Sequence, residues 1–88
     1  MGHHDLVLVV EDDENIRRFI TINLERNGFK VLQTAYGKEA LELARKERPD
    51  LIVLDIMLPD MDGFEVCGKL REEDADTAVL MLTAKGQD

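Results

Sequence analysis

Eighty-eight residues, 44% apolar and 34% charged, describe a single small globular domain that buries only somewhat more than about 60% of its unfolded surface. A net charge of -8, with Arg17, Arg18, Lys38, Arg45 and Lys69 scattered along the chain, excludes a nucleic-acid surface and favours a metal cation or a basic partner. The lone Cys67 excludes an internal disulfide and a Cys-type zinc site, and no apolar run approaches the roughly 18 residues of a membrane span, so a reducing cytosol is the simplest setting.

The first five residues have no basic stretch and the apolar run behind them is short, so no secretory signal is expected. Nothing near His3 and His4 completes a metal-ligand set. Leu6-Val-Leu-Val-Val10 is too short for a helix and predicts a strand buried on both faces. The acids Glu11-Asp-Asp-Glu14 follow. Ile16, Phe19, Ile20 and Leu24 then recur at helical spacing, with Gly28 where a C-terminal cap belongs. Lys30 to Thr34 predicts a second strand. Gly37 to Arg48 predicts a helix with Ala40, Leu41, Leu43 and Ala44 inward, stopped by Pro49.

Leu51-Ile-Val-Leu-Asp55 predicts a third buried strand, and Pro59 with Asp60-Met-Asp-Gly63 marks a loop. Asp62 with Glu65 three residues on has the pattern of a capping box, opening a helix whose inner face is Phe64, Cys67 and Leu70. Glu72 to Thr77 is turn-like, and Ala78-Val-Leu-Met-Leu82 predicts a fourth strand. The order β-α-β-α-β-α-β implies a parallel sheet with helices on both faces. Right-handed crossovers then bring the C-terminal ends of the strands to one edge, beside the topological switch point where α/β sheets bind ligands.

Glu11 and Asp12 follow the first strand, Asp55 ends the third and Thr83 follows the fourth. Carboxylates gathered at one edge repel one another, and a divalent cation relieves the repulsion. With oxygen donors and no Cys or His nearby, a hard ion such as Mg²⁺ is favoured. An acid ending the apolar run Leu51–Leu54 is otherwise hard to justify. Read singly, Asp55 is a turn cap and Glu11 to Glu14 a first helical turn that suits the helix dipole; the combination with Thr83 is what points to chemistry. Cys67 reads as a small buried apolar residue, and Met57, Met61 and Met81 as packing.

Three segments resemble the signature regions of response-regulator receiver domains, in the family's order and separations: Val9-Val-Glu11-Asp12-Asp13-Glu-Asn-Ile16, Pro49 through Asp55 to Pro59 and Gly63, and Met81-Leu-Thr83-Ala84. The similarity runs over essentially the whole chain. It implies a flavodoxin-like, doubly wound α/β fold with strand order 2-1-3-4 and three helices. It further implies Glu11 and Asp12 as Mg²⁺ ligands, Asp55 as phosphoacceptor and third metal ligand, Thr83 as the hydroxyl that contacts the phosphoryl group, and the Met57 backbone carbonyl as a further metal ligand. The implied partner is a histidine kinase or phosphotransfer protein, the implied role regulatory rather than enzymatic, and the implied setting cytoplasmic, without direct contact to nucleic acid or membrane.

An intact receiver has five strands and five helices, so residues 1–88 are expected to form one receiver domain cut short, without strand five, helix four, helix five or the family's strand-five Lys. Lys85 stands where the family has no phosphate ligand. The fourth strand would then be an exposed apolar edge beside an uncovered sheet face, which predicts a homodimer or higher assembly. A haloacid-dehalogenase-like phosphatase would need an Asp two residues after Asp55, where Met57 stands. The remaining alternative is a phosphorylation-impaired receiver fragment acting only as a self-associating scaffold.

Overall fold

The run Leu6–Val10 forms β1, one of the two inner strands of a computed structural model that describes residues 5–73 and 77–82. It is followed by α1 (Glu14–Arg26), β2 (Lys30–Thr34), α2 (Gly37–Glu47), β3 (Leu51–Asp55), α3 (Gly63–Glu73) and β4 (Ala78–Leu82). All strand pairings are parallel, in the order β2-β1-β3-β4. This is the doubly wound sheet expected from the sequence. Beta-branched and leucine residues dominate β1 and β3 because these strands are covered on both faces. Among the described residues, no helix is long and apolar enough to cross a membrane.

The pleat divides the core in two. Leu8, Val10, Ile52 and Leu54 point to the side of α2 and α3, where Ala40, Leu41, Val66 and Leu70 meet them. Val7, Val9 and Val53 point to the other side, where Ile20 and Leu24 of α1 pack. Three helix ends have a local cause. Asp13 caps α1, its Oδ1 accepting from the N–H groups of Asn15 (2.9 Å) and Ile16 (3.1 Å). At the other end Gly28, at φ 91°, donates to Glu25 and Phe29 donates to Leu24. This is a Schellman turn, and Phe29 and Leu24 pack in the same cluster. The end of α2 falls one residue before Arg48, which takes a left-handed conformation and keeps its N–H on Ala44. At the opposite edge of the sheet, Asp50 clasps Leu6: its N–H donates to Leu6 O and its Oδ2 accepts from Leu6 N–H, both at 2.8 Å.

One expected inner face is corrected. Phe64 is 63% exposed, whereas Val66 is fully buried beside Leu70 and half-buried Cys67. The buried stripe of α3 runs Gly63, Val66, Cys67, Leu70, at i, i+3, i+4 and i+7, and Phe64 lies one position off it. On α1, Ile20 and Leu24 face the sheet while Ile16 and Phe19 are exposed, because the stripe in contact with β1 and β2 is narrower than the apolar arc of the helix.

This placement separates two substitutions that composition would treat alike. Phe64→Ala is expected to cost less than about 1 kcal/mol. Val66→Ala leaves a void in the core and is expected to cost about 2 kcal/mol. Urea denaturation followed by circular dichroism measures both; equal losses would contradict the orientation of α3.

Candidate functional site

The register of β1 with β3 pairs Val10 with Leu54, so the next residues out, Glu11 and Asp55, leave the sheet side by side. Asp12 is the single residue between Glu11 and the Asp13 cap of α1. The result is a cluster in which Glu11, Asp12 and Asp55 each offer a carboxylate oxygen, all within 4.8 Å of one another. Glu11 is buried, Asp55 half-buried and Asp12 exposed, so the cluster opens outward from the sheet.

Glu11 is the most constrained of the three. Its Oε2 accepts from the Asp13 N–H at 3.1 Å. Its backbone N–H donates to Thr34 O at 3.0 Å, and its carbonyl accepts from Arg17 Nη1 at 2.8 Å. At 5% exposure its carboxyl is pushed above the usual carboxylate range, chiefly by burial. The Asp13 N–H opposes that shift, while the charges of Asp55 and Asp12 add to it.

The loop after β3 is fastened at several points. Gly63 N–H donates to Ile56 O at 2.6 Å, and Met57 pairs with Asp62 in an antiparallel bridge. A Cβ at Gly63 would lie 2.4 Å from Asp55 O, so only glycine permits this approach to the strand end. Asp62 Oδ1 accepts from Phe64 N–H at 2.6 Å, an Asx turn across two residues instead of the capping-box bond to position three. Asp60 reaches across to α2, accepting from Gly37 N–H (2.7 Å) and Lys38 N–H (2.9 Å). These donors, led by Lys38 N–H, hold the Asp60 carboxyl below its ordinary range.

The structure therefore brings together three of the residues singled out from the sequence, Glu11, Asp12 and Asp55. Met57 lies in the same loop with its side chain 68% exposed. Thr83, with His3, His4 and Lys85, lies outside the described residues. Two contributors were not singled out for the site. Arg17 sits one turn into α1, and its signal is a basic residue at the start of a helix that follows a strand-end acid. Asp60 has no local signal, because its partners are 22 and 23 residues away. The cluster is all-oxygen, holds no Cys or His, and contains a buried acid whose charge its neighbours oppose. Those features fit a hard divalent cation.

The chain was compared with known proteins. The family described as response regulator receiver domain matches residues 7–88. The alkaline phosphatase synthesis transcriptional regulatory protein PhoP of Bacillus subtilis is 50% identical over 82 residues, covering 93% of this chain and 34% of that protein. The receiver domain of the Francisella response regulator 1452 superposes with a TM-score of 0.88 at 37% identity, over 96% of this chain and 69% of that one. The BeF3-activated N-terminal receiver domain of Klebsiella pneumoniae RstA gives 0.85 at 33% identity, over 96% and 71%. The chain thus spans about a third of the length of the curated relative.

A raised carboxyl pKa in the folded state has a definite consequence for stability. The native chain holds the Glu11 proton more tightly than the unfolded chain, so this group's contribution to stability falls as pH rises above the ordinary value of 4.5. Glu11→Gln is expected to raise the melting temperature of metal-free protein near about pH 7 and to flatten its dependence on pH below that. Thermal melts across that range, in chelator, check both; a lower melting temperature for the variant would contradict the electrostatic account.

Proposed function

The chain belongs to the response regulator receiver domain family, and from that membership we propose that Asp55 accepts a phosphoryl group from a histidine kinase or phosphotransfer protein. In this reading Mg²⁺ is held by Glu11, Asp12, Asp55 and the backbone carbonyl of Met57. The observation that carries it is the convergence of three carboxylates within 4.8 Å at the ends of β1 and β3. Receiver domains are regulatory, and the product of the reaction is a signal, the phosphorylated domain itself.

The chemistry follows from the positions of the side chains. A carboxylate oxygen of Asp55 attacks phosphorus in line; the new O–P bond forms as the P–N bond of phosphohistidine breaks, and imidazole leaves with the electron pair. Bound among the carboxylates, Mg²⁺ would neutralise charge on the acceptor and on the incoming phosphoryl group. Asp55 is held for attack by the ladder on its own strand, where it pairs with Leu82. Thr83 is the next residue after Leu82, which supports its role as the hydroxyl that contacts the phosphoryl oxygens. Hydrolysis of the acyl phosphate returns the Asp55 carboxylate and releases inorganic phosphate. A relative at 33% identity is described as a BeF3-activated receiver domain, in keeping with a domain of this family that has an activated form.

A second element of the reading concerns assembly. Among the described residues β4 is the sheet's edge, and Leu80 on it is 53% exposed. An apolar edge strand of this kind favours pairing with a second copy.

The test of acceptor chemistry is intact mass after incubation with Mg²⁺ and acetyl phosphate. A phosphoryl adduct is expected on the wild type, none on Asp55→Asn, and none on either in the presence of a chelator. A folded wild type without adduct would overturn the acceptor role and leave a receiver-derived scaffold. Self-association is checked separately by sedimentation velocity at micromolar concentration, where wild type is expected as a dimer or larger and Leu80→Lys as a monomer.

A further inference from the structure

The loop between Asp55 and Gly63 has to hold the Met57 backbone still if its carbonyl is to serve a metal, and the Met57 side chain does not do so, being largely in solvent. Its neighbours do. On one flank Gly63 N–H takes the carbonyl of Ile56 at 2.6 Å. Met57 and Asp62 therefore face each other as a non-hydrogen-bonded pair, and the carbonyl engaged by the bridge is that of Ile56, not that of Met57. On the other flank the loop is tied to α2. Tyr36, the residue at the N-cap position of α2, makes no side-chain capping bond. Asp60 supplies that cap from 23 residues away, with one carboxylate oxygen on Gly37 N–H and the other on Lys38 N–H. The next residue, Met61, lies so close to Gly37 that a Cβ there would stand 2.3 Å from its Cγ. Two consecutive loop residues are thus seated on one helix terminus.

We propose that Asp60 is a positioning residue for the metal: by clamping the loop to the N-terminus of α2 it fixes the Met57 carbonyl, and so sets the affinity for Mg²⁺ and the preference for Mg²⁺ over Ca²⁺. The proposal rests on the reading that Mg²⁺ binds at Glu11, Asp12 and Asp55. Its logic is that of ligand number and rigidity. Mg²⁺ is small and demands near-octahedral placement of its ligands, whereas Ca²⁺ accepts longer and more variable distances. Loosening one ligand-bearing loop therefore penalises Mg²⁺ more than Ca²⁺, a signature that general loss of stability does not produce.

The experiment is isothermal titration of the full chain with Mg²⁺ and, separately, with Ca²⁺, on wild type, Asp60→Ala and Lys46→Gly, each shown to be folded by circular dichroism. Asp60→Ala is expected to lose about tenfold in Mg²⁺ affinity, in the range for residues that orient metal ligands. Ca²⁺ affinity is expected to change by less than about threefold. Lys46→Gly weakens α2 at an exposed position without touching the loop, and is expected to leave Mg²⁺ affinity within about twofold of wild type. Where Asp60→Ala does not fold, Asp60→Asn, which retains one acceptor oxygen, carries the same comparison. Wild-type affinity and selectivity in the Asp60 variant, or an equal loss in Lys46→Gly, would overturn the proposal. A wild type that binds no Mg²⁺ would overturn the functional reading and this proposal with it.

Discussion

Parallel pairing between β1 and β3 makes Glu11 and Asp55 neighbours whether or not their charges agree. The register is set by apolar residues that have no alternative: Leu8 and Val10 pair with Ile52 and Leu54, and all four are fully buried. A slip of one residue would turn these side chains to the opposite face. Two carboxylate oxygens within 4.8 Å of one another repel by on the order of 3 kcal/mol or more at an effective dielectric constant of about 20. Burying a single leucine or isoleucine offsets roughly 1.5–3 kcal/mol of this. The core therefore holds the acids together against their repulsion, and the strain is confined to the edge where a cation can relieve it.

The same edge receives the N-termini of all three helices, and this sorts its acids into two groups. Asp13 accepts from Asn15 and Ile16 at the start of α1, Asp60 from Gly37 and Lys38 at the start of α2, and Asp62 from Phe64 at the start of α3. Each of these carboxylates has helical N–H donors and a favourable helix dipole to stabilise its charge. Glu11, Asp12 and Asp55 converge on one another instead. The first group builds the frame, since Asp13 fixes the turn that carries Asp12 and Asp60 fixes the loop that carries Met57. Net charge alone cannot distinguish the groups; the distinction is whether a helix begins within reach.

How much of this was legible in the sequence depended on how local the cause was. The four strands and the edge that collects Glu11, Asp12 and Asp55 follow from short apolar runs and the right-handed crossover, both of which are written in consecutive residues. The end of α1 was marked by Gly28 because a positive φ there needs glycine. The inner face of α3 was misread because Phe64 is large and apolar, yet burial there is decided by where α3 meets α2 and the sheet, and that selects Val66. Asp60 was read as a loop residue because its carboxylate answers to donors on a different helix. The gradation from buried Glu11 to exposed Asp12 was equally hidden, since adjacent acids in a sequence look alike.

That gradation bears on the kind of ion the site suits. A cage of several inward-facing acids would strip a cation of its water, which Mg²⁺ resists. Here one acid is buried and oriented by the Asp13 N–H, one is half-buried at a strand end, and one faces solvent. Such a cluster offers carboxylates from the protein side and is open on the solvent side, where a hard cation would keep part of its water. Glu11 is the buried acid of the three, and burial together with the charges of Asp55 and Asp12 raises its carboxyl pKa. Its extra methylene relative to an aspartate lets its Oε2 reach the Asp13 N–H while its backbone stays in the ladder with Thr34. The buried acid of the cluster is thus tied through both its side chain and its backbone, which fixes its carboxylate at the strand end with no ion present.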